Sequence, residues 1–327
     1  MSYRAILILL SILCAMLFAA SLLIGPSGIS PLHGLSALIS GDGAAGLVMR
    51  ELRLPRAILG ISVGAALGLS GAAMQGFLRN PLAEPGLIGT SAGAALGAVI
   101  AIQTGLYALF ALALPLAALA GAGVAVALIL ILAGREGRAL VLILAGIAVS
   151  ALAAAATALV LNLAPSPYAA AEIVFWMMGS LADRSMTHVA LALPFLIVGA
   201  LILLRAGAGL DALSLGEDAA ASMGISLKRL RLQIVFGTAL MVGAATAVAG
   251  AIGFVGLVVP HLLRKSVGAR PSRLLPASAL GGAAMLTLAD IATRVIAPER
   301  DLKLGVLTAL VGAPFFLSMI RKMGREG

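Results

Sequence analysis

Eight windows of this chain contain no Asp, Glu, Lys or Arg: residues 5–41, 57–78, 85–134, 139–171, 185–204, 232–263, 274–289 and 304–320. A helix that crosses the hydrocarbon of a bilayer takes about 20 mostly apolar residues, and a charge at its centre costs about 3 kcal/mol. The windows therefore mark spans. The longest, 85–134, holds two helices that turn near Gln103, Thr104 and Gly105. The window 232–263 is too long for one helix and too short for two. Gly250, Gly253 and Pro260 divide it into a long helix ending near 249 and a half-length one. Some shorter windows extend past a flanking charge. The pattern predicts an all-α, polytopic membrane protein with a single transmembrane domain over residues 1–327. Its ten helices fall at about 5–25, 55–78, 86–104, 107–133, 139–164, 186–205, 228–249, 253–267, 273–297 and 304–322.

Composition agrees with this picture. The chain is 61% hydrophobic and 11% charged, against about 25% charged residues in soluble domains. It carries 39 glycines, and small residues let membrane helices approach closely. The single cysteine, Cys14, sits in an apolar run and reads as a small buried hydrophobe, so no intrachain disulfide forms. The net charge of +9 is explained by basic loops beside spans. Almost no aromatics interleave with the basic residues, so the neighbour is membrane lipid and not nucleic acid. Met1–Arg4 followed by an apolar run resembles a signal peptide, but with so many spans behind it reads as an uncleaved first helix.

An even number of spans places both termini on one side. Fifteen of the 22 Lys and Arg residues fall on that side, among them Arg79, Arg135, Arg138, Lys228, Arg229, Arg264 and Arg273. Seven, including Arg53, Arg56, Arg294 and Arg300, fall on the other. Positive charge collects in the cytoplasm, so the reading puts both termini there. Long outer segments remain at 26–53 and 165–185, where AEIVFWMMGSL suits a short non-spanning helix. A weak repeat aligns Gly64–Pro81 with Gly243–Pro260 at a constant offset of 179, with identities at Gly64, Ala65, Ala66, Gly71, Ala72, Leu78 and Pro81. In this topology the copies run in opposite directions, a device of transporters.

One stretch breaks the apolar pattern. Residues 211–231, DALSLGEDAAASMGISLKRLR, form a polar, amphipathic island on the cytoplasmic side. Ser214 and Glu217 have capping-box spacing. Glu217 and Asp218 sit in a first turn, where carboxylates suit the helix dipole. Leu215, Ala219 and Met223 share a face, and Gly224 is placed to end the helix in a left-handed conformation. A second start follows at Ser226. The physics leaves two readings open, a solvated connector lying on lipid or a helix on which a cytoplasmic partner docks. On the outer side, Arg53 and Arg56 in LRLPR either snorkel to headgroups or meet an acidic partner. Asp290 and Arg294, four apart, can pair within one helix, and Arg294 could face the same partner. The segment RNPLAEPG (79–86) breaks a helix with Pro81 and Pro85 and reverses the chain at the inner face, with Arg79, Asn80 and Pro81 at the pore mouth.

The chain carries no GxxxxGK[ST] phosphate loop and no clustered set of metal ligands. His33, His188 and His261 fall far apart. Strongly buried carboxylates or lysines, the mark of ion-coupled carriers, are missing apart from Asp290. These absences argue against an enzyme and against a self-sufficient secondary carrier, and describe a transport path without a motor of its own.

Six motifs carry a family resemblance across nearly the whole chain: RLPR (53–56), SGAAMQGFLRNPLAEPGLIGTSAGAALG (70–97), LGEDAAASMGI (215–225), GFVGLVVPHLLR (253–264), LADIATR (288–294) and GVLTALVGAPFF (305–316). With them the chain resembles the permease subunits of the ABC importers for iron–siderophores, haem and vitamin B12. The resemblance implies a homodimer of ten-helix subunits in a bacterial inner membrane, with the pathway at the dimer interface. Two cytoplasmic ATPase subunits would hold the ATP and magnesium, leaving no cofactor on this chain, and a periplasmic binding protein would deliver the ligand. It assigns Leu215, Gly216, Glu217, Asp218, Ala220, Met223 and Gly224, within a coupling helix at about 213–225, to the ATPase contact. Arg53, Arg56 and Arg294 would meet acidic residues of the binding protein, and the helix at 139–164 would line the path. AEPGLIG and FWMMGSL resemble the haem branch most, with ferric siderophore and cobalamin as alternatives. Tyr168, Met177, Met178 and His188 are the residues that could touch haem iron in passing.

Overall fold

The computed structural model describes residues 2–25, 27–41, 43–110, 112–134, 139–297 and 302–326. Its helices, in chain order, are α1 (Tyr3–Leu23), α2 (Pro31–Ser40), α3 (Gly43–Leu47), α4 (Leu54–Phe77), α5 (Thr90–Gln103), α6 (Ala113–Ala133), α7 (Ala139–Asn162), α8 (Pro167–Met177), α9 (Met186–Arg205), α10 (Gly207–Leu213), α11 (Glu217–Ser222), α12 (Leu227–Ala249), α13 (Val255–Arg264), α14 (Pro271–Ile296) and α15 (Leu304–Glu326). Among the described residues, seven helical runs are long and apolar enough to cross a membrane. Three shorter apolar helices, at Thr90–Gln103, Val255–Arg264 and Leu304–Met319, stand where the other three spans are expected. All ten predicted segments are therefore helices. Arg135, Arg138 and Arg300, counted in the charge bias, lie outside the described residues.

Glycine decides how the bundle closes. On α4, Gly60, Gly64 and Gly68 recur every fourth residue and face α14. A Cβ at Gly60 would sit 3.2 Å from Thr287 Oγ1, while one at Gly64 or Gly68 would overlap the carbonyl oxygens of Gly282 and Ser278. The rising numbers on α4 meet falling numbers on α14, so the two run antiparallel at backbone contact. Gly93 and Gly97 of α5 meet Gly121 and Ala117 of α6 in the same way, and Gly199 of α9 meets Gly237 of α12. Lipid tails are as apolar as leucine, so hydrophobicity does not hold such helices together. Close van der Waals packing through small residues does.

The predicted break after α12 is present. Gly250 ends the helix with φ 73°, and α13 starts after Phe254. This interrupts the second copy of the weak repeat, whereas the first copy runs on unbroken in α4 to Phe77. The outer segments are also helical. α8 occupies the stretch expected to form a non-spanning helix. Residues 43–77 form one continuous helical run in which Val48–Arg53 makes a π-helical turn. The extra residue in a π turn shifts the following side chains around the axis, and here Met49 and Arg53 are buried.

Two ring contacts establish that the chain ends share a face. The Arg273 guanidinium, at the start of α14, stacks over the Tyr3 ring at 5.4 Å. Phe315, midway along α15, meets His261 near the end of α13 at 5.8 Å, and the second half of α15 runs on from there. Lys228, Arg229, Arg264 and Arg270 belong to this basic face, and Arg53, Arg56 and Arg294 to the opposite one.

Candidate functional site

The polar island folds on the basic face, but not with the expected cap. Ser214 continues from α10 in helical conformation, and its hydroxyl donates to the Asp211 carbonyl at 2.6 Å. Gly216, at φ 114°, takes the N-cap position of α11 without any side-chain cap. The capping box of Ser214 and Glu217 is therefore not formed, because the first hydroxyl is already spent on the preceding turn. The end of α11 is as expected. Gly224 has φ 81°, Ile225 N–H donates to the Ala220 carbonyl at 3.0 Å, and Gly224 N–H donates to that of Ala221 at 2.9 Å. These two hydrogen bonds satisfy the last carbonyls of the helix. Ser226 then caps α12 by accepting from Arg229 N–H at 3.3 Å.

α11 is thus held at its far end and buried at Ala220. Its other side offers Leu215 and Met223, 70% and 62% exposed, with Glu217 and Asp218 beside them. Leu215 and Met223 line one groove of about 580 Å³ together with Asp211, Ser214 and the 268–271 loop. Large apolar side chains rimmed by charge mark a contact surface. Arg79 lies across from α11, its guanidinium 3.9 Å from the Glu217 carboxylate, an exposed pair worth little in itself. Arg79 has φ 49°, and Asn80 accepts from Leu82 N–H at 2.9 Å to lock the turn that carries Pro81.

Asp211 anchors this face. Its carboxylate accepts from the amide of Ser272 at 2.8 Å, from the Ser272 hydroxyl at 2.7 Å and from Arg270 at 2.6 Å. It thereby caps α14, whose own N-terminal residues offer no side-chain cap. Burial alone would raise its pKa. The Ser272 and Arg270 bonds outweigh that and hold it below the usual carboxylate value. A lowered carboxylate pKa stabilises the fold above the unfolded-state value, near 3.9, and that contribution is lost as pH falls through the folded-state value. Thermal unfolding of the wild type is expected to become steeply acid-sensitive below about pH 4, and Asp211→Asn should flatten that limb. Parallel curves for the two proteins would exclude the role.

On the opposite face the three arginines turn inward. Arg53 is 6% exposed and donates to the carbonyls of Leu22 and Leu23 at 2.9 and 3.0 Å and to Ser27 Oγ at 2.6 Å. Arg294 is 9% exposed and donates to the carbonyls of Ser21 and Ile24, both at 2.8 Å, and to Ser21 Oγ at 2.6 Å. Together they close the C-terminus of α1, where four carbonyls lack helical partners. The local pair of Asp290 with Arg294 is present at 2.7 Å, and Arg56 joins the same carboxylate at 2.9 Å. Of the three, Arg56 keeps the largest exposed edge.

A third feature was not read from the residues. Beside α8 and α15 opens an apolar groove of about 710 Å³ lined by Met177, Met178, Gly253, Phe254, Gly305, Ala309 and Ala313. Phe254 has φ 69°, a conformation rare for a bulky side chain. Its amide donates to Glu84 Oε1 at 2.8 Å, so the RNPLAEPG segment caps α13 from 170 residues away. Gln75 binds the carbonyls of Gly256 and Leu257 and accepts from Arg264 at 2.8 Å. One signal was available for Glu84, which is the sole carboxylate between Glu51 and Glu136. His188 is occupied, its Nδ1 accepting from Ser185 N–H at 3.3 Å, whereas Tyr168 is exposed on α8.

A many-helix membrane bundle with a broken helix beside an open groove, and a short helix flanked by exposed apolar side chains on its basic face, is built as a transporter permease. The chain belongs to the FecCD transport family, whose model matches residues 12–322. It is 40% identical over 277 residues to the cobalamin import system permease protein BtuC of Halobacterium salinarum, covering 85% of this chain and 74% of the relative. It is 36% identical to the Hemin transport system permease protein HmuU of Yersinia pestis, over 84% of each chain. With the Fe(3+)-citrate import system permease protein YfmE of Bacillus subtilis it shares 36% identity over 98% of this chain and 96% of the relative. A solved inward-facing conformation of a metal-chelate type ABC transporter matches with a TM-score of 0.86 at 32% identity, covering 98% and 99% of the two chains. The chain is a multi-pass permease of the ABC importer type.

Proposed function

We propose that this chain is the haem-carrying permease subunit of an ATP-driven, binding-protein-dependent importer in a bacterial inner membrane, acting as a homodimer with both termini in the cytoplasm. The observation that carries the importer reading is α11, a short helix terminated on both sides by glycines at positive φ, with Leu215 and Met223 exposed on the basic face. The chain has no phosphate loop of its own, so energy enters by contact. Two ATPase subunits, holding ATP and magnesium, dock on Leu215, Gly216, Glu217, Asp218, Ala220, Met223 and Gly224. Arg79, Asn80 and Pro81 sit between that contact and the inner mouth of the path, and Arg79 reaches Glu217. On the far side a binding protein meets Arg56, with Arg53 and Arg294 holding the surface behind it. This chain itself binds no cofactor and catalyses no reaction.

The haem assignment rests on the AEPGLIG and FWMMGSL segments and on the groove that the second of them lines. Met177 and Met178 place polarizable thioethers on an otherwise apolar wall, which suits a flat, apolar metal macrocycle. The assembled complex in proteoliposomes, with its binding protein, should take up haemin on ATP addition. Excess ferric citrate or cobalamin should leave that uptake unchanged. Uptake that persists with a catalytically dead ATPase would return the chain to the secondary carriers. ATP-driven uptake of cobalamin or ferric citrate in place of haemin would reassign the ligand and leave the importer reading standing.

A further inference from the structure

Three observations meet at one point on the groove wall. Phe254 is held at φ 69°, where a residue with a Cβ is crowded by its own carbonyl. Its ring lies in a notch on α15: a Cβ added to Gly312 would overlap Phe254 Cβ and Cγ. The Phe254 backbone is held by the side chain of Glu84, on the segment that reverses the chain between α4 and α5, and the bond is 2.8 Å long. Non-glycine residues persist in such a conformation only where their surroundings hold them. Pro85 packs on Gly256 two residues further on, so the loop and α13 are locked side by side.

We propose that Glu84 is a positioning residue and Phe254 the gate residue it controls. While the carboxylate grips the Phe254 amide, the ring stays in the Gly312 notch and the groove lined by Met178, Gly253, Ala309 and Ala313 is open. When the 79–86 loop shifts and the grip is released, Phe254 relaxes to negative φ and its ring swings out of the notch into the groove. The loop begins at Arg79, which reaches α11. Movement of the partner-facing helix is thereby transmitted to the groove through a single hydrogen bond. That the groove belongs to the transport path rests on the permease reading. The latch itself does not.

The native chain has one cysteine, buried Cys14, whose thiol donates to the Leu280 carbonyl at 3.2 Å, a bond that Cys14→Ser retains. In that background the full chain carrying Ala309→Cys, in membrane vesicles, reports groove access through its rate of reaction with a water-soluble maleimide. Glu84→Ala is expected to slow the reaction by about tenfold, as a ring position populated at a tenth or less becomes dominant. Glu84→Gln, which keeps an acceptor oxygen, should react near the wild-type rate. Phe254→Gly, free to adopt positive φ and without a ring, should react quickly whether or not Glu84 is present. Gly312→Ala, which blocks the notch with Glu84 intact, should slow the reaction on its own, and it answers the question if Glu84→Ala fails to insert. Equal rates for wild type, Glu84→Ala and Gly312→Ala overturn the latch, as does a Glu84→Ala effect that survives in Phe254→Gly. An Ala309→Cys that reacts only with a lipid-soluble reagent removes the groove from the path and overturns the gate, while ATP-driven uptake by the complex reports separately on the permease reading.

Discussion

Replacing Glu217–Ala221 with a flexible Gly/Ser stretch of equal length is expected to abolish ATP-driven uptake while the membrane bundle stays folded. The reason is local. Only Ala220 of α11 is buried, so the change removes little core. It does remove the geometry that holds Leu215 and Met223 on one groove. A Leu or Met side chain gains about 1.5 kcal/mol or more when a partner buries it, and losing both anchors amounts to roughly a hundredfold in affinity. The substituted segment also loses Glu217, and with it the reach to Arg79, so any residual docking would no longer be passed to the 79–86 loop. Pull-down of the ATPase and uptake by the reconstituted complex check the two losses separately. Normal uptake with normal ATPase recovery would make α11 a solvated connector.

Asp290→Ala is the substitution expected to cost the fold most. The carboxylate is 1% exposed and is bonded by both Arg56 and Arg294. Removing it leaves the Arg294 guanidinium buried with only carbonyl and hydroxyl acceptors, and breaking a buried pair from one side costs about 3–5 kcal/mol. The loss should extend to the end of α1, because Arg294 holds the Ser21 and Ile24 carbonyls there beside the two that Arg53 holds. Asp290→Asn keeps an acceptor and should fall in between. Thermal unfolding in detergent, followed by tryptophan fluorescence and by recovery of monodisperse protein, measures the order wild type, Asn, Ala. Equal midpoints for all three would mean that Arg294 is satisfied by the end of α1 alone. Two charges cancelled by replacing Asp290 and Arg294 together with apolar residues should recover part of the loss.

How much was legible beforehand differs between parts of the molecule. The ten helical segments were visible because a bilayer penalises each charge within the span itself, so the signal is local. The break near Gly250, the short helix α8 and the terminating Gly224 were visible for the same reason: each follows from the conformational freedom or restriction of a few adjacent residues. The arginines were recognised as a group, but as charges on an outer surface. Their burial depends on the unpaired carbonyls at the end of α1, some 270 residues from Arg294, and no pattern along the chain reports that. Ser214 had the right spacing for a cap and a nearer acceptor took its hydroxyl. Glu84 carries no such pattern, because its partner is a backbone amide 170 residues away, and a backbone amide has no residue signature.

The sequence by itself determined the class, an all-helical membrane permease, and the place of the polar segment that ends at Gly224. Both depend on hydrophobicity and on turn-forming residues read over windows shorter than one span. Only the tertiary structure decided which charges are spent inside. It set α4 against α14 through Gly60, Gly64 and Gly68, brought Arg56 to Asp290 and Glu84 to Phe254, and so made a structural brace of one carboxylate and a latch of the other. The physical reason is that a charge or a hydrogen-bonding group in a low-dielectric bundle takes its meaning from the partner that folding delivers, and folding delivers it from the far end of the chain.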